Sequence, residues 1–247
     1  MQASGGGVSD GRSMIEGRLN RLDWETLERS LWDWGWAKAP AVLTPDECGE
    51  LIALYSQEQR FRSRVDMARY RFGVGEYKYF AEPLPPVVAA LRAHAYRHLG
   101  LVANRWEEAL GKRRRYPDEL EKFLAECAAR GQHKPTPLLL RYEPGGYNCL
   151  HQDLYGDIAF PLQLTCVLSR RGVDFTGGES LLVEQRPRAQ SRGDAVAVEQ
   201  GEALIFTTRD RPVRGARGYH RVVTRHGVSR LLSGERYSLG VIFHNAA

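Results

Sequence analysis

Beyond Pro137 the chain is a succession of short β-type runs: LLLRYE, YNCLHQD, FPLQLTCVLS, ESLLVEQ, AVAVE, EALIFTT, HRVVTRHGV and RYSLGVIFH. Gly, Asp, Pro or Ser separates each from the next, the punctuation of a turn-rich β protein. Eight strands in so short a span must close on themselves or stack to hide their edges. A sandwich or barrel of jelly-roll type does this.

The stretch before Pro137 reads differently. Leu22, Leu27, Leu31 and Trp34 recur at helical spacing in LDWETLERSLWDWGW. LTPDECGELIALYSQEQ predicts a second helix, with Thr44 as N-cap, Pro45 at the first helical position and Glu47 three residues after the cap. PPVVAALRAHAYRHLG and YPDELEKFLAECAARG predict two more, with KRRR at 112–115 as a solvated connection. The expected fold is therefore α+β, a single domain over 19–247. Its helical N-terminal part (19–136) buttresses a double-stranded β-helix, or jelly-roll, core in the C-terminal half (137–247). MQASGGGVSDGRSM is Gly/Ser-rich, Met14 fits a second start, and IEGR matches a tag-removal protease site. Residues 1–18 are thus expected to be a disordered tail or an engineered extension.

Hydrophobic residues make up 43% and charged residues 26% of the 247, which excludes fibrous and disordered classes. No apolar run approaches the roughly 20 residues of a membrane span. Cys48, Cys127, Cys149 and Cys166 are widely spaced, as in a reduced cytoplasmic protein.

His151-Gln152-Asp153 lies on one of the predicted strands. Residues i and i+2 share a strand face, so an imidazole and a carboxylate project together. Two histidines and a carboxylate on one face leave three adjacent coordination positions open, which suits non-haem Fe(II) oxygenases. The second histidine must come from downstream, where His220, His226 and His244 are available; His94, His98 and His133 fall on or beside helices. His220 stands ten residues before Arg230, as His226 does before Arg236. Arg236, however, opens the alternating run RYSLGVIF, while Arg230 falls at a strand end, which favours His226.

An H-x-D pair, a histidine 73 residues on and an arginine ten residues later resemble the Fe(II)/2-oxoglutarate-dependent dioxygenases. HGVSRLLSGERYSLGVIF, the Gly-Gly stretch FTGGESLLVEQ and the opening segment DWGWAKAPAVLTPDEC look like the prolyl-4-hydroxylase branch. RYEPGGYNCLHQD is instead similar to the R-Y-x-P-G…L-H-Q-D stretch of AlkB-type nucleic-acid demethylases, which have a longer gap before their co-substrate arginine. The resemblance implies a jelly roll in which His151, Asp153 and His226 hold Fe(II). It also implies Arg236 as the partner of the distal carboxylate of 2-oxoglutarate, with Tyr142 donating to the same co-substrate. The same resemblance implies O2 as the oxidant and ascorbate as a stimulant. The implied reaction is C–H hydroxylation, with oxidative demethylation of an alkylated base as one form.

The net charge of +5 is concentrated. Residues 186–236 hold eleven arginines and five acids, a local +6 that leaves the remainder at −1. Arginines 186, 188, 192, 209, 211, 214, 217, 221 and 225, with Tyr147 and Tyr219 to stack bases, are expected to form a rim for single-stranded or alkylated nucleic acid across 186–230. Prolyl-type hydroxylation of a protein or peptide and a small-molecule oxygenase are the alternatives. Outside that class stand a non-enzymatic jelly-roll binding protein and a zinc hydrolase, the latter giving Arg236 no reason to face the site.

Overall fold

The computed structural model describes residues 8–247 except residue 187, with side chains from residue 14 onward. Five helices are present: α1 (Val8–Asn20), α2 (Trp24–Trp34), α3 (Pro45–Leu54), α4 (Pro86–Ala109) and α5 (Leu120–Ala128). The last four are those read from the sequence. Asp23 caps α2 by accepting from the Thr26 amide at 3.0 Å, and Gly35 ends it in the left-handed region. α3 begins with the expected capping box of Thr44 and Glu47. Trp34 is exposed while Leu27 and Leu31 are buried, so the helical stripe is narrower than its sequence pattern.

Two expectations are corrected here. Within the segment 1–18, the described residues from Val8 onward belong to a helix, α1. α1 buries Ile15 and Leu19 in the core, and Arg18 pairs with Glu47 at 2.7 Å while donating to the Val42 carbonyl at 2.8 Å. Residues 1–7 lie outside the described part. Nor is the N-terminal half purely helical, because it contributes β1 (Trp36–Ala41), β2 (Phe61–Asp66), β3 (Gly73–Val74) and β4 (Glu76–Phe80).

The C-terminal half supplies β5 (Leu138–Tyr142), β6 (Tyr147–His151), β7 (Leu162–Val167), β8 (Phe175–Gly177), β9 (Ser180–Gln185) and β10 (Arg192–Val196). There follow β11 (Glu202–Thr207), β12 (Asp210–Gly215), β13 (Gly218–Val228), β14 (Leu231–Gly234) and β15 (Arg236–Ile242). All eight expected strands are there; β8, β12 and β14 are additional. The major sheet runs β1-β11-β7-β15-β5-β4-β2, so N-terminal strands occupy both of its edges. The minor sheet runs β10-β9-β13-β6-β3, with β12 paired to β13, and β14 pairs with β8.

Alternation along the major strands sorts side chains into two cores. Leu162, Leu164 and Cys166 of β7, with Ala203 and Ile205 of β11, face the helices. There Tyr96 of α4 packs on Phe123 of α5, Phe160 and Phe243, with ring centroids 5.2–6.0 Å apart. Val167, Leu204 and Phe206 face the other way and meet Leu182 of the minor sheet. The layers are thus helices, major sheet and minor sheet. No helix among the described residues is long and apolar enough to cross a membrane.

Candidate active site

A cavity of about 360 Å³ opens between the two sheets. β6 and β13 pair so that His151 and His226 are direct cross-strand partners, and their rings lie 4.2 Å apart. Asp153 falls two residues beyond the end of β6 rather than on a strand, yet it keeps the expected side. Its Oδ1 is 3.6 Å from His151 Nε2, and its Oδ2 is 3.1 Å from His226 Nε2. One ligand atom from each of the three lies within 4.8 Å of the others. Gln152 turns its amide to the Thr224 carbonyl at 2.8 Å.

Hydrogen bonds orient these groups. His151 Nδ1 lies 2.7 Å from the Cys149 carbonyl, which can only accept, so the proton is on Nδ1 and the Nε2 lone pair faces the cavity. Tyr155 donates to Asp153 Oδ1 at 2.5 Å and receives a bond from Tyr79 at 3.0 Å. Burial alone would raise the Asp153 pKa, but His226, His151 and the Tyr155 hydroxyl hold it well below the usual carboxylate range. Burial and the neighbouring His226 push His151 down, keeping it neutral.

Arg236 opens β15 directly opposite Tyr142 of β5, and both side chains line the cavity. The guanidinium carbon is 5.7 Å from the Tyr142 ring centre and 5.9 Å from that of Phe175. Gly178 (φ 66) leaves room for it, since a Cβ there would meet Arg236 Cδ at 2.9 Å. Burial lowers the Arg236 pKa and raises that of Tyr142 to about 12, which keeps the phenol protonated at neutral pH.

Three arginines are buried among the described residues, and only one lacks protein partners for most of its donors. Arg92 is taken up by the carbonyls of Ile242 and Phe243 and by Asn245. Arg211 is taken up by Glu184 and by the carbonyls of Trp32 and Asp33. Arg236 reaches only Ser238 Oγ, at 3.1 Å, and its Nε has no partner. The Tyr142 hydroxyl and the Gln163 amide nitrogen, both in the cavity lining, are also unpartnered. A buried cation without a counter-charge is costly unless an anion joins it.

The remaining histidines lie apart from this cluster. His220 is exposed opposite Val213 on the β12–β13 hairpin, and His98 stacks on Trp24 at 4.2 Å. His244 is wholly buried behind Tyr155, and burial pushes its pKa down to about 4.

The arginine-rich rim expected across 186–230 is not where the sequence reading put it. The cavity is lined by Arg71 and Arg236 and by none of the arginines between 186 and 230. Arg186, Arg192, Arg209, Arg211 and Arg221 pair with Glu184, Asp194 or Asp210 instead. Tyr219 packs on Trp32 at 5.4 Å, and Tyr147 lies outside the cavity lining. Tyr155, Ser238 and Gln163 were not singled out from the sequence. Tyr155 and Ser238 each stand two residues after a site residue, and that spacing was the available signal.

Residues 75–246 match a family model described as an oxygenase "catalysing oxidative methylation of damaged DNA". An uncharacterized protein of Mycobacterium tuberculosis is 51% identical over 168 residues, 68% of this chain and 72% of the relative. Among solved structures, a prolyl-4-hydroxylase of Pseudomonas putida aligns over 91% of this chain and 99% of its own, with a TM-score of 0.52 and 16% identity. An oxidoreductase of the 2OG-Fe(II) oxygenase family from Burkholderia pseudomallei aligns over 100% and 96%, also with a TM-score of 0.52 and 16% identity. These two likenesses concern the fold, a jelly roll flanked by helices. The chain belongs to the oxygenase family that the matching model describes.

Proposed function

We propose that this oxygenase hydroxylates an alkyl carbon on damaged nucleic acid, with His151, Asp153 and His226 as iron ligands and Arg236 as the anchor of 2-oxoglutarate. The unsatisfied Arg236 guanidinium carries the reading. It is a buried, planar cation in the same cavity as a two-histidine, one-carboxylate cluster, and its fork suits a carboxylate.

The donor set fits ferrous iron. Two imidazoles and one carboxylate on one side leave the opposite positions open, whereas a closed structural zinc site would need a fourth protein ligand. The chain's own contribution is orientation. The Cys149 carbonyl fixes the His151 tautomer, and Tyr155 occupies one oxygen of Asp153 so that the other is presented. Tyr142 offers an unspent hydroxyl beside Arg236 for a second bond to the co-substrate. Phe206, 4.7 Å from the His226 ring, and Leu182 and Leu204 keep that end of the cavity apolar. Iron held by His151, Asp153 and His226 would supply, with 2-oxoglutarate and O2, the oxidation that puts one oxygen atom into the substrate C–H bond and the other into succinate, with release of CO2. On an N-methyl group the hydroxylated product loses formaldehyde, which restores the base.

The family description supports DNA as the substrate class. The test is succinate release from 2-oxoglutarate with and without a methylated single-stranded oligonucleotide, a prolyl peptide serving as control. Stimulation by the oligonucleotide with formaldehyde release is the expected result. Stimulation by the peptide alone would overturn it.

A further inference from the structure

The loop between β2 and β4 carries a patch that the proposed reaction does not by itself require. Of twelve large apolar side chains left exposed among the described residues, six lie in two stretches: Tyr70, Phe72 and Val74, and Tyr147, Leu150 and Leu154. The β3–β6 ladder joins the stretches, pairing Val74 with Tyr147. Scattered exposed apolar residues are ordinary, but a contiguous group beside a cavity marks a contact surface.

Tyr70 and Phe72 stack with ring centroids 5.6 Å apart and planes 21° apart, although each is about half exposed. Phe72 and Leu150 also belong to the cavity wall, so the stacked pair leads outward from it. The loop is held firmly. Met67 is wholly buried, and its carbonyl accepts from the Phe72 amide at 3.0 Å. The Phe72 carbonyl in turn accepts from the Cys149 amide at 2.8 Å, two residues before His151. At Gly73 (φ 139) a Cβ would meet the Tyr147 carbonyl at 2.3 Å, so the loop lies flush on β6.

Charge indicates what the platform suits. Residues 67–75 contain two arginines and no acid. Arg69 lies 5.9 Å from the centre of the Tyr70 ring, and Arg71 lines the cavity from the left-handed region (φ 61). The preceding acid, Asp66, is engaged by the Ala68 amide at 3.0 Å. Flat apolar faces flanked by cations match flat bases joined by phosphates, the combination by which single strands are held.

We infer that Tyr70 and Phe72 form a stacking platform for an unpaired base beside the one in the cavity, with Arg69 and Arg71 on the flanking phosphates, so that the protein selects single-stranded over duplex nucleic acid. The inference rests on the nucleic-acid reading above. In a duplex both faces of an internal base are already covered by its neighbours, so the platform has nothing to stack on.

Fluorescence anisotropy with a short labelled single strand and with its duplex tests this. Tyr70→Ala and Phe72→Ala each weaken single-strand binding by roughly 5- to 100-fold, while Tyr70→Phe and Phe72→Tyr bind as the wild type does. Arg69→Gln and Arg71→Gln each lower the salt slope by about 0.7. Both aromatic side chains are exposed, so thermal denaturation of the alanine variants stays close to wild type. A wild type that binds the strand no better than the duplex, or alanine variants that bind the strand undiminished, would overturn the platform and leave the substrate class standing. A wild type that binds a prolyl peptide and no oligonucleotide would overturn both.

Discussion

The Tyr155 hydroxyl takes one oxygen of Asp153 at 2.5 Å while the other faces His226 Nε2 at 3.1 Å. A carboxylate that could turn or chelate through both oxygens is thereby limited to one presented atom. Removing the hydroxyl frees the carboxylate without vacating a ligand. Tyr155→Phe should weaken Co(II) or Fe(II) binding by about 10- to 100-fold, the usual effect of losing a partner that orients a metal ligand. Anaerobic metal titration without 2-oxoglutarate reads this directly, and unchanged affinity would show that Asp153 needs no such support.

Arg236 and Arg211 are both buried, but replacing them should have opposite consequences. Arg236→Met removes a buried cation that forms no direct ion pair with a protein carboxylate. Its melting temperature should hold or rise, while 2-oxoglutarate binding weakens roughly 10- to 150-fold, the equivalent of about 1.5–3 kcal/mol for bonds to a charged group. A variant that unfolds without losing co-substrate affinity would contradict this.

Arg211→Met, by contrast, takes from Glu184 its one wholly buried partner, leaving it Arg186, and strips the donors from the carbonyls at the end of α2. It should cost about 3 kcal/mol in urea unfolding.

Glu184 also sets a pH dependence. Burial would raise its pKa, but Arg186 and Arg211 outweigh that and lower it. A carboxylate with a folded pKa below its unfolded value of about 4.3 adds stability above that value and loses it as pH falls through the folded one. Glu184→Gln should therefore lower stability at pH 7 and flatten the acid limb of the stability–pH curve. An acid limb identical to wild type would refute the assignment.

α1 offers a test by truncation. Removing residues 1–13 leaves Ile15, Arg18 and Leu19 in place and should change the melting temperature little. Removing residues 1–20 strips two wholly buried side chains and the Arg18–Glu47 pair, with a loss of about 3–6 kcal/mol from the apolar burial alone. Equal stability of the two truncated chains would return α1 to the status of a tail.

The cluster was legible because its logic is local. His151 and Asp153 share a side by the period of an extended chain, and Arg236 begins an alternating run. The same period could have corrected the arginine reading. Arg221 and Arg225 occupy alternate positions of β13 to His226, so they point to the opposite face of the minor sheet. What the sequence hid were β1 to β4. These are short runs, with Pro40 inside WAKAPA and charged residues throughout FRSRVD, and they resemble loops until a long-range partner supplies their hydrogen bonds.

The register that makes His151 and His226 cross-strand neighbours has one more consequence. Sheet hydrogen bonds, not the ion, hold the two imidazoles together, so the centre is assembled before anything enters it. Chelation should strip the protein of activity yet leave it folded, unlike a zinc finger, whose architecture dissolves with its metal. If the proposed iron centre is right, emptying and refilling it should leave the chain intact, with iron supply acting on turnover and not on survival of the fold.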